Sequence, residues 1–232
     1  MNTITYNDII KQAMYTKLSL IRYYYTQMSI VQREGGAFYK PLFFEYPNDD
    51  GAYTNQELNI MVGPALKLGI QSKALTTVSQ FYYPAGRYCS VFCKKETDCC
   101  VEYAVGTEVT LPSMAFNFYL DLRAGHIIPM QNATKIEASQ SRSINTESLQ
   151  DDPVEIHLMP ICDTTSCTAA GEYINDDGVT RDIANSRHTY KMSYTHTINT
   201  TVVGAAPDTM EIDIVATGPD SLINGNDKLG AV

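Results

Sequence analysis

Tryptophan is absent from the 232 residues of this chain. Sugar sites and interfaces often lean on the indole, so any stacking surface must come from the 16 tyrosines and 7 phenylalanines. That leaves a thin case for a pure sugar-stacking role. Charge is scarce as well. Only 19% of residues are Asp, Glu, Lys or Arg, below the usual quarter, and acidic residues outnumber basic ones 26 to 17 for a formal net charge of −9. No run of lysines and arginines interrupts that balance, so the positive footprint that neutralises nucleic-acid phosphates is missing. No apolar stretch approaches the roughly 20 residues that a membrane-spanning helix needs. The opening MNTITYNDIIKQAMYTK has neither the basic leader nor the apolar core of a secretory signal. No internal repeat of solenoid or propeller period is present.

What is present supports folding. Hydrophobic residues make up 44% of the chain, and its length permits one large domain or two to three small ones. Six cysteines fall in two polar stretches, CSVFCKKETDCC (Cys89, Cys93, Cys99, Cys100) and CDTTSC (Cys162, Cys167). An even count in loop-like text reads as disulfides made in an oxidising compartment. The rival is zinc, but the spacings are C-x3-C and C-x5-C-C rather than paired C-x2-C, and neither cluster holds a histidine. Two sequons, at Asn132 and Asn199, are candidate N-glycosylation sites and fit the same compartment. Oxidised cysteines without a signal peptide are reconciled if the chain is the downstream part of a larger product of the secretory pathway, whether secreted or lysosomal.

From Tyr6 to about Arg33 the spacing predicts one amphipathic helix, with Ile10, Met14, Leu18, Ile21, Tyr25 and Met28 on a single stripe. Asn7 or Asp8 would cap its start and Gly35-Gly36 would stop it. The run AFYKPLFFEY that follows is apolar almost throughout, as a parallel strand buried on both faces requires. A long helix, a tight turn and such a strand make an αβ unit that cannot bury its own faces, so it wants partners. Beyond Gly63-Pro64, short runs such as ALKLGIQ, TVSQFYYP and CVEYAVGTEVTLP have the texture of an antiparallel sandwich. A more polar β-rich stretch follows from Lys135, where HTYKMSYTHTINTTVV predicts a long strand with one wet face. The tail GPDSLINGNDKLGAV reads as loosely ordered.

Five segments, KPLFFEYPNDD, NIMVGPAL, YYPAGRYCSVF, AGHIIPMQ and GEYINDDG, occur in that order. The series resembles the C-terminal part of glycoside hydrolase family thirty-one, the α-glucosidase family. The usual forms there are a PLFFEFP strand, an LGPALL segment, a YFPxGxWYD turn, a GGxIIPxQ strand and a GELYxDDG turn. The likeness runs from about Tyr6 to about Ile214. It implies an α/β plus all-β fold. Residues 1–65 would be the last helix-strand unit of a (β/α)8 barrel, 66–134 a proximal antiparallel β-sandwich and 135–232 a distal one.

The departures bear on activity. Members of the family cleave terminal α-glucosidic bonds with two aspartates, one in a WxDMNE-like strand end and one in a WxGDN-like end, and neither motif occurs here. The family's substrate-gripping histidine, placed just before the helix that corresponds to Tyr6–Arg33, is missing too. A retaining glycosidase holds its two carboxyl groups about 5–5.5 Å apart across the scissile bond. The resemblance supplies neither group, and it implies no cofactor.

Other candidates carry a competing reading each. Glu45 with Asp49 or Asp50 lies near the C-terminal end of a barrel-like strand, where such folds put chemistry. The alternative is a Glu45 paired with an arginine or the backbone and a PNDDG turn in solvent, and the resemblance sides with that alternative. Asp176 and Asp177 in INDDG lack the spaced ligands and terminal glutamate of a calcium loop, whereas a hairpin turn needs only Asp-Gly. His126, His157, His188 and His196 show no metal spacing. No catalytic, cofactor or metal residue is assigned. The expectation is a scaffold segment or chain of an α-glucosidase-like hydrolase, its aspartates carried by an upstream segment or a companion chain. The alternative is a non-catalytic structural or carbohydrate-binding protein of the same descent.

Overall fold

The computed structural model describes residues 5–71, 76–92, 99–112, 118–140, 145–146, 149, 152–176, 187–197, 209–217 and 229–230. They are mostly strand, and the chain divides into two compact units. A central unit spans 34–126 with 159–161, and a split unit is made of 1–33, 127–158 and 162–232.

The central unit holds strands β1 (Tyr39–Pro41), β2 (Asn59–Val62), β3 (Leu66–Gly69), β4 (Val78–Tyr83), β5 (Gly86–Ser90), β6 (Cys100–Tyr103), β7 (Thr107–Pro112) and β8 (Tyr119–Arg123). Six form a sheet in the order β1-β2-β3-β8-β5-β6, and each pair is antiparallel. Strands β4 and β7 make a separate antiparallel ribbon. Alternate residues of β4 point the same way, so Phe81 and Tyr83 enter a core with Tyr88, Tyr103 and Tyr119 from the sheet. The Tyr83 ring stacks on Tyr103 at 5.0 Å and meets Tyr88 edge-on at 5.2 Å. Between them, Tyr82 joins Leu42, Ala52 and Met61 in a second core.

The run AFYKPLFFEY departs from the expected doubly buried strand. Only Tyr39–Pro41 is strand, it runs antiparallel to β2, and Leu42–Phe44 turns into a 3-10 helix. Tyr39 and Phe44 are exposed. Pro41 has no N–H to extend a ladder, and the turn lets Phe43 stack on Tyr53 at 5.1 Å. Among the described residues this segment makes no parallel pair.

The split unit contains helices α1 (Tyr6–Ser19), α2 (Ile21–Glu34) and α3 (Ala133–Gln140). Its strands are β9 (His126–Met130), β10 (Val154–Met159), β11 (Ile161–Cys162), β12 (Ser166–Asp176), β13 (Arg187–Thr197), β14 (Thr209–Thr217) and β15 (Leu229–Gly230). The sheet order is β14-β13-β12-β9-β10-β15, with β11 on β12. In β13, Tyr190, Met192 and Tyr194 are buried while Lys191, Ser193 and Thr195 are exposed, the alternation of a strand with one wet face. Those three pack with Ile127, Val154, Cys167, Ala169 and Tyr173 into the unit's core. Gly171 permits the close approach of β12 and β9, because a Cβ there would lie 2.1 Å from the carbonyl oxygen of Ile127.

The expected single helix is two, parted at Leu20. Its first cap is Thr5 rather than Asn7 or Asp8. The Thr5 hydroxyl accepts from the Asp8 N–H and the Asp8 carboxylate accepts from the Thr5 N–H, a reciprocal capping box. At the break, the Ser19 carbonyl turns aside to accept from the N–H of Gln131 at 2.9 Å. Much of the stripe is not covered within the chain: Ile10, Met14 and Met28 are 62%, 49% and 52% exposed. Thr16, Leu20, Tyr23, Thr26, Gln27 and Ser29 are buried instead. Hydrogen bonds explain the choice. Arg22 donates to Gln131 Oε1 (3.2 Å), Asn175 Oδ1 (3.2 Å) and the Leu149 carbonyl (2.9 Å), and Thr26 Oγ1 accepts from the Ile174 N–H at 3.1 Å.

Candidate functional site

The carboxylate singled out near a strand end, Glu45, closes the 3-10 turn after Pro41. It is held by two cations. Lys40 Nζ bonds to Oε1, and Arg123 Nη1 stands 3.8 Å from Oε2. The Arg123 guanidinium also lies over the Tyr46 ring at 5.2 Å. Beside this pair, burial and then the Arg123 charge push the His126 imidazole down to about 4, opposed by Glu45, so the ring is neutral at physiological pH. Asp49 has a different task. It caps the next 3-10 turn by accepting from the Gly51 N–H (3.1 Å) and takes a hydrogen bond from the Tyr82 hydroxyl (2.6 Å). Asp50 is exposed. The arrangement fixes a turn and presents no pair of facing carboxylates.

A second polar cluster lies where sequence reasoning assigned nothing. Lys67 on β3 is fully buried, and its strand register sets it directly opposite Asp121 on β8. Its Nζ donates to Asn59 Oδ1 at 3.2 Å and sits 3.9 Å from the centre of the Tyr83 ring. Burial lowers the Lys67 pKa to about 7, against a smaller upward pull from Asp121. Asp121 is itself raised by burial, a rise opposed by the hydrogen bond that its Oδ2 accepts from the Tyr83 hydroxyl (2.7 Å) and by Lys67. Asn59 Oδ1 takes a further hydrogen bond from the Tyr82 N–H at 3.0 Å. The signal in the sequence was a lone lysine in ALKLGI, an apolar strand where a charge has no solvent face.

The remaining candidates are spread out. His157 Nε2 is 3.5 Å from Glu155 Oε2, His188 meets the Tyr190 ring edge-on, and His196 stands opposite Cys167 on β12. Asp176 accepts from the Tyr25 hydroxyl, and Asp177 lies outside the described residues. Among the described residues no cluster of His, Cys, Asp and Glu is placed to hold a metal ion. Cys89 is bonded to Cys100 and Cys162 to Cys167. Cys99 is also disulfide-bonded, and Cys93 lies outside the described residues. Asn132 is exposed and caps α3 by accepting from the Lys135 N–H, while Asn199 lies outside. No helix among the described residues is long and apolar enough to cross a membrane.

No protein-family model matches the chain. Curated proteins do. A probable alpha-glucosidase of Oryza sativa is 28% identical over 182 residues, and an alpha-glucosidase of Hordeum vulgare is 28% identical over 173. These alignments take in 76% and 72% of this chain. Among solved structures, the glucosidase II alpha subunit superposes with a TM-score of 0.69 over 85% of this chain at 17% identity. A family 31 dextranase of Flavobacterium johnsoniae gives 0.66 over 82% at 19%. The chain is thus similar, over roughly three-quarters of its length, to alpha-glucosidases and to family 31 structures. At those structural identities the likeness shows the shared fold. The chain spans 18% and 17% of the two curated relatives and 20% and 22% of the two structures. Of the segments that resemble family 31 motifs, PLFFEYP falls on β1 and its 3-10 turn, VGPALK on the β2–β3 hairpin, and the described part of GEYINDDG, 171–176, on the end of β12. Lys67 stands where the LGPALL form carries its last leucine.

Proposed function

We propose that this chain is a scaffold part of an α-glucosidase-like hydrolase that cleaves terminal α-glucosidic bonds. Its two catalytic aspartates are carried by polypeptide outside residues 1–232, either ahead of it or on a companion chain. In this reading residues 1–65 close a (β/α)8 barrel, 66–134 form the proximal sandwich and 135–232 the distal one. One observation carries the proposal: about three-quarters of the chain aligns with alpha-glucosidases, yet the alignment occupies less than a fifth of their length. The geometry around Glu45 agrees, since a carboxylate clamped by Lys40 and Arg123 is occupied in holding a turn. The disulfides and the exposed sequon at Asn132 support synthesis in the secretory pathway, with N-glycan on Asn132.

The test is mass spectrometry of native material, first under native and then under denaturing, non-reducing conditions, beside an assay of glucose release from maltose. Additional sequence bearing WxDMNE-like and WxGDN-like segments, with glucose release, is the expected result. A particle holding only copies of the 25.8 kDa chain, with no glucose release, overturns it.

A further inference from the structure

The Lys67 cluster has the parts of an acyl-transfer site folded into the core of the central unit. A buried ammonium without a counter-ion is strongly disfavoured, and among the described residues no carboxylate is ion-paired with Lys67. The amine therefore sits near neutrality, its pKa lowered by burial. Its hydrogen bond within the protein goes to Oδ1 of Asn59, a side chain that is 1% exposed. That contact holds the amine beside the amide group, which raises its effective concentration there. The same oxygen is polarised by the Tyr82 N–H at 3.0 Å, where an oxyanion would need a donor. The amide nitrogen is oriented by donating to the Asn55 carbonyl at 3.0 Å. Across β3 stands the Asp121 carboxyl, with Oδ2 held by Tyr83, whose ring covers Lys67 Nζ.

We propose that Lys67 and Asn59 join in an intramolecular amide cross-link, with Asp121 carrying the proton. The Nζ lone pair forms a bond to Asn59 Cγ, and the carbonyl π pair moves onto Oδ1 opposite the Tyr82 N–H. One Nζ proton passes through the Asp121 carboxyl to Nδ2. The Cγ–Nδ2 bond then breaks with its electron pair on nitrogen, and ammonia leaves. One amine and one primary amide become one secondary amide and one ammonia, with no oxidant or reductant. The Phe81 and Tyr83 rings beside Nζ shield the intermediate from the water that would otherwise hydrolyse it. The product ties β2 to β3 by a covalent bond between residues eight apart, in a core where a free lysine would be a liability.

The experiment is intact-mass and tryptic-peptide mass spectrometry of the natively folded protein, reduced and denatured before analysis. The expected result is a mass one ammonia below the sequence value, with no tryptic cleavage after Lys67. Fragment ions should place the bond between Asn59 and Lys67. Lys67→Arg should restore the full mass and Asp121→Asn should prevent its loss. The wild-type peptide map decides the matter even if a variant fails to fold. A full-length mass with a cleavable, acetylatable Lys67 overturns the proposal. So does an ammonia loss that persists in Lys67→Arg or maps to another asparagine.

Discussion

Replacing Gly171 by alanine tests whether the approach of β12 and β9 is as tight as its backbone distances imply. Gly171 has no left-handed φ, so alanine there meets no conformational penalty of its own. The added Cβ would instead lie 2.1 Å from the Ile127 carbonyl oxygen and 2.8 Å from its carbon. Ordinary contact between such atoms is about 3.5 Å, so the strands must part by roughly 1.4 Å. A carbonyl in a ladder cannot rotate away as a side chain can. Overpacking of a well-filled core costs roughly 1–3 kcal/mol, and a backbone clash belongs at the upper end, about 3 kcal/mol. Gly35→Ala is the matched control: φ is +82° and no atom lies within 4 Å of the added Cβ, so only the left-handed backbone is strained. That strain costs about 1 kcal/mol. Urea unfolding followed by circular dichroism reads the difference. With a slope of about 2 kcal/mol/M, the midpoint should fall by about 1.5 M for Gly171→Ala and about 0.5 M for Gly35→Ala. Equal shifts would refute the reasoning, since they would mean that β9 yields to the new methyl group without loss.

Because burial and Arg123 hold the folded His126 pKa near 4, below its unfolded value of 6.5, the unfolded chain binds the proton first. Stability is then present above pH 6.5 and lost as pH falls toward 4, and His126→Gln should flatten urea midpoints across that window; an unchanged slope counts against the assignment. Thr5→Ala removes half of the capping box and should cost about 1 kcal/mol, seen as roughly fivefold faster hydrogen exchange at the Asp8 amide with little change in α2. Replacing Cys162 and Cys167 together by serine opens a short loop and should lower stability by about 2 kcal/mol on the chain-entropy account, measured by the same urea titration; no loss would mean that the denatured chain is already constrained there.

The β runs after Gly63-Pro64 could be read from the sequence because their strands carry their own turns. ALKLGIQ became β3, TVSQFYYP became β4, and CVEYAVGTEVTLP split into β6 and β7 around Gly106. The β13 strand was legible for the same reason, since Tyr190, Met192 and Tyr194 alternate with polar residues. The helix was half legible. Periodicity sees apolar side chains, and it pointed to Ile10, Met14 and Met28, whereas α2 is held by Thr26 and Arg22 bonding to backbone and amide groups far along the chain. The break at Leu20 has no glycine or proline to announce it, because its cause is the N–H of Gln131, 112 residues later (131 less 19). The Lys67 cluster was hidden by the same limit. Nothing local to ALKLGI reveals that Asn59, Tyr83 and Asp121 will surround the amine.

The division of the split unit sets an order of events during synthesis. Helix α2 is made well before groups that hold it, because Ile174 lies 148 residues past Thr26 and Asn175 153 past Arg22. At roughly 5–20 residues per second, the ribosome needs on the order of 10–30 s to supply them. The central unit is almost one uninterrupted length of chain, so it can close while the helices wait. Long-range closure of that kind is slow on topological grounds. Helix α2 therefore depends on β12, a strand made some 150 residues after it.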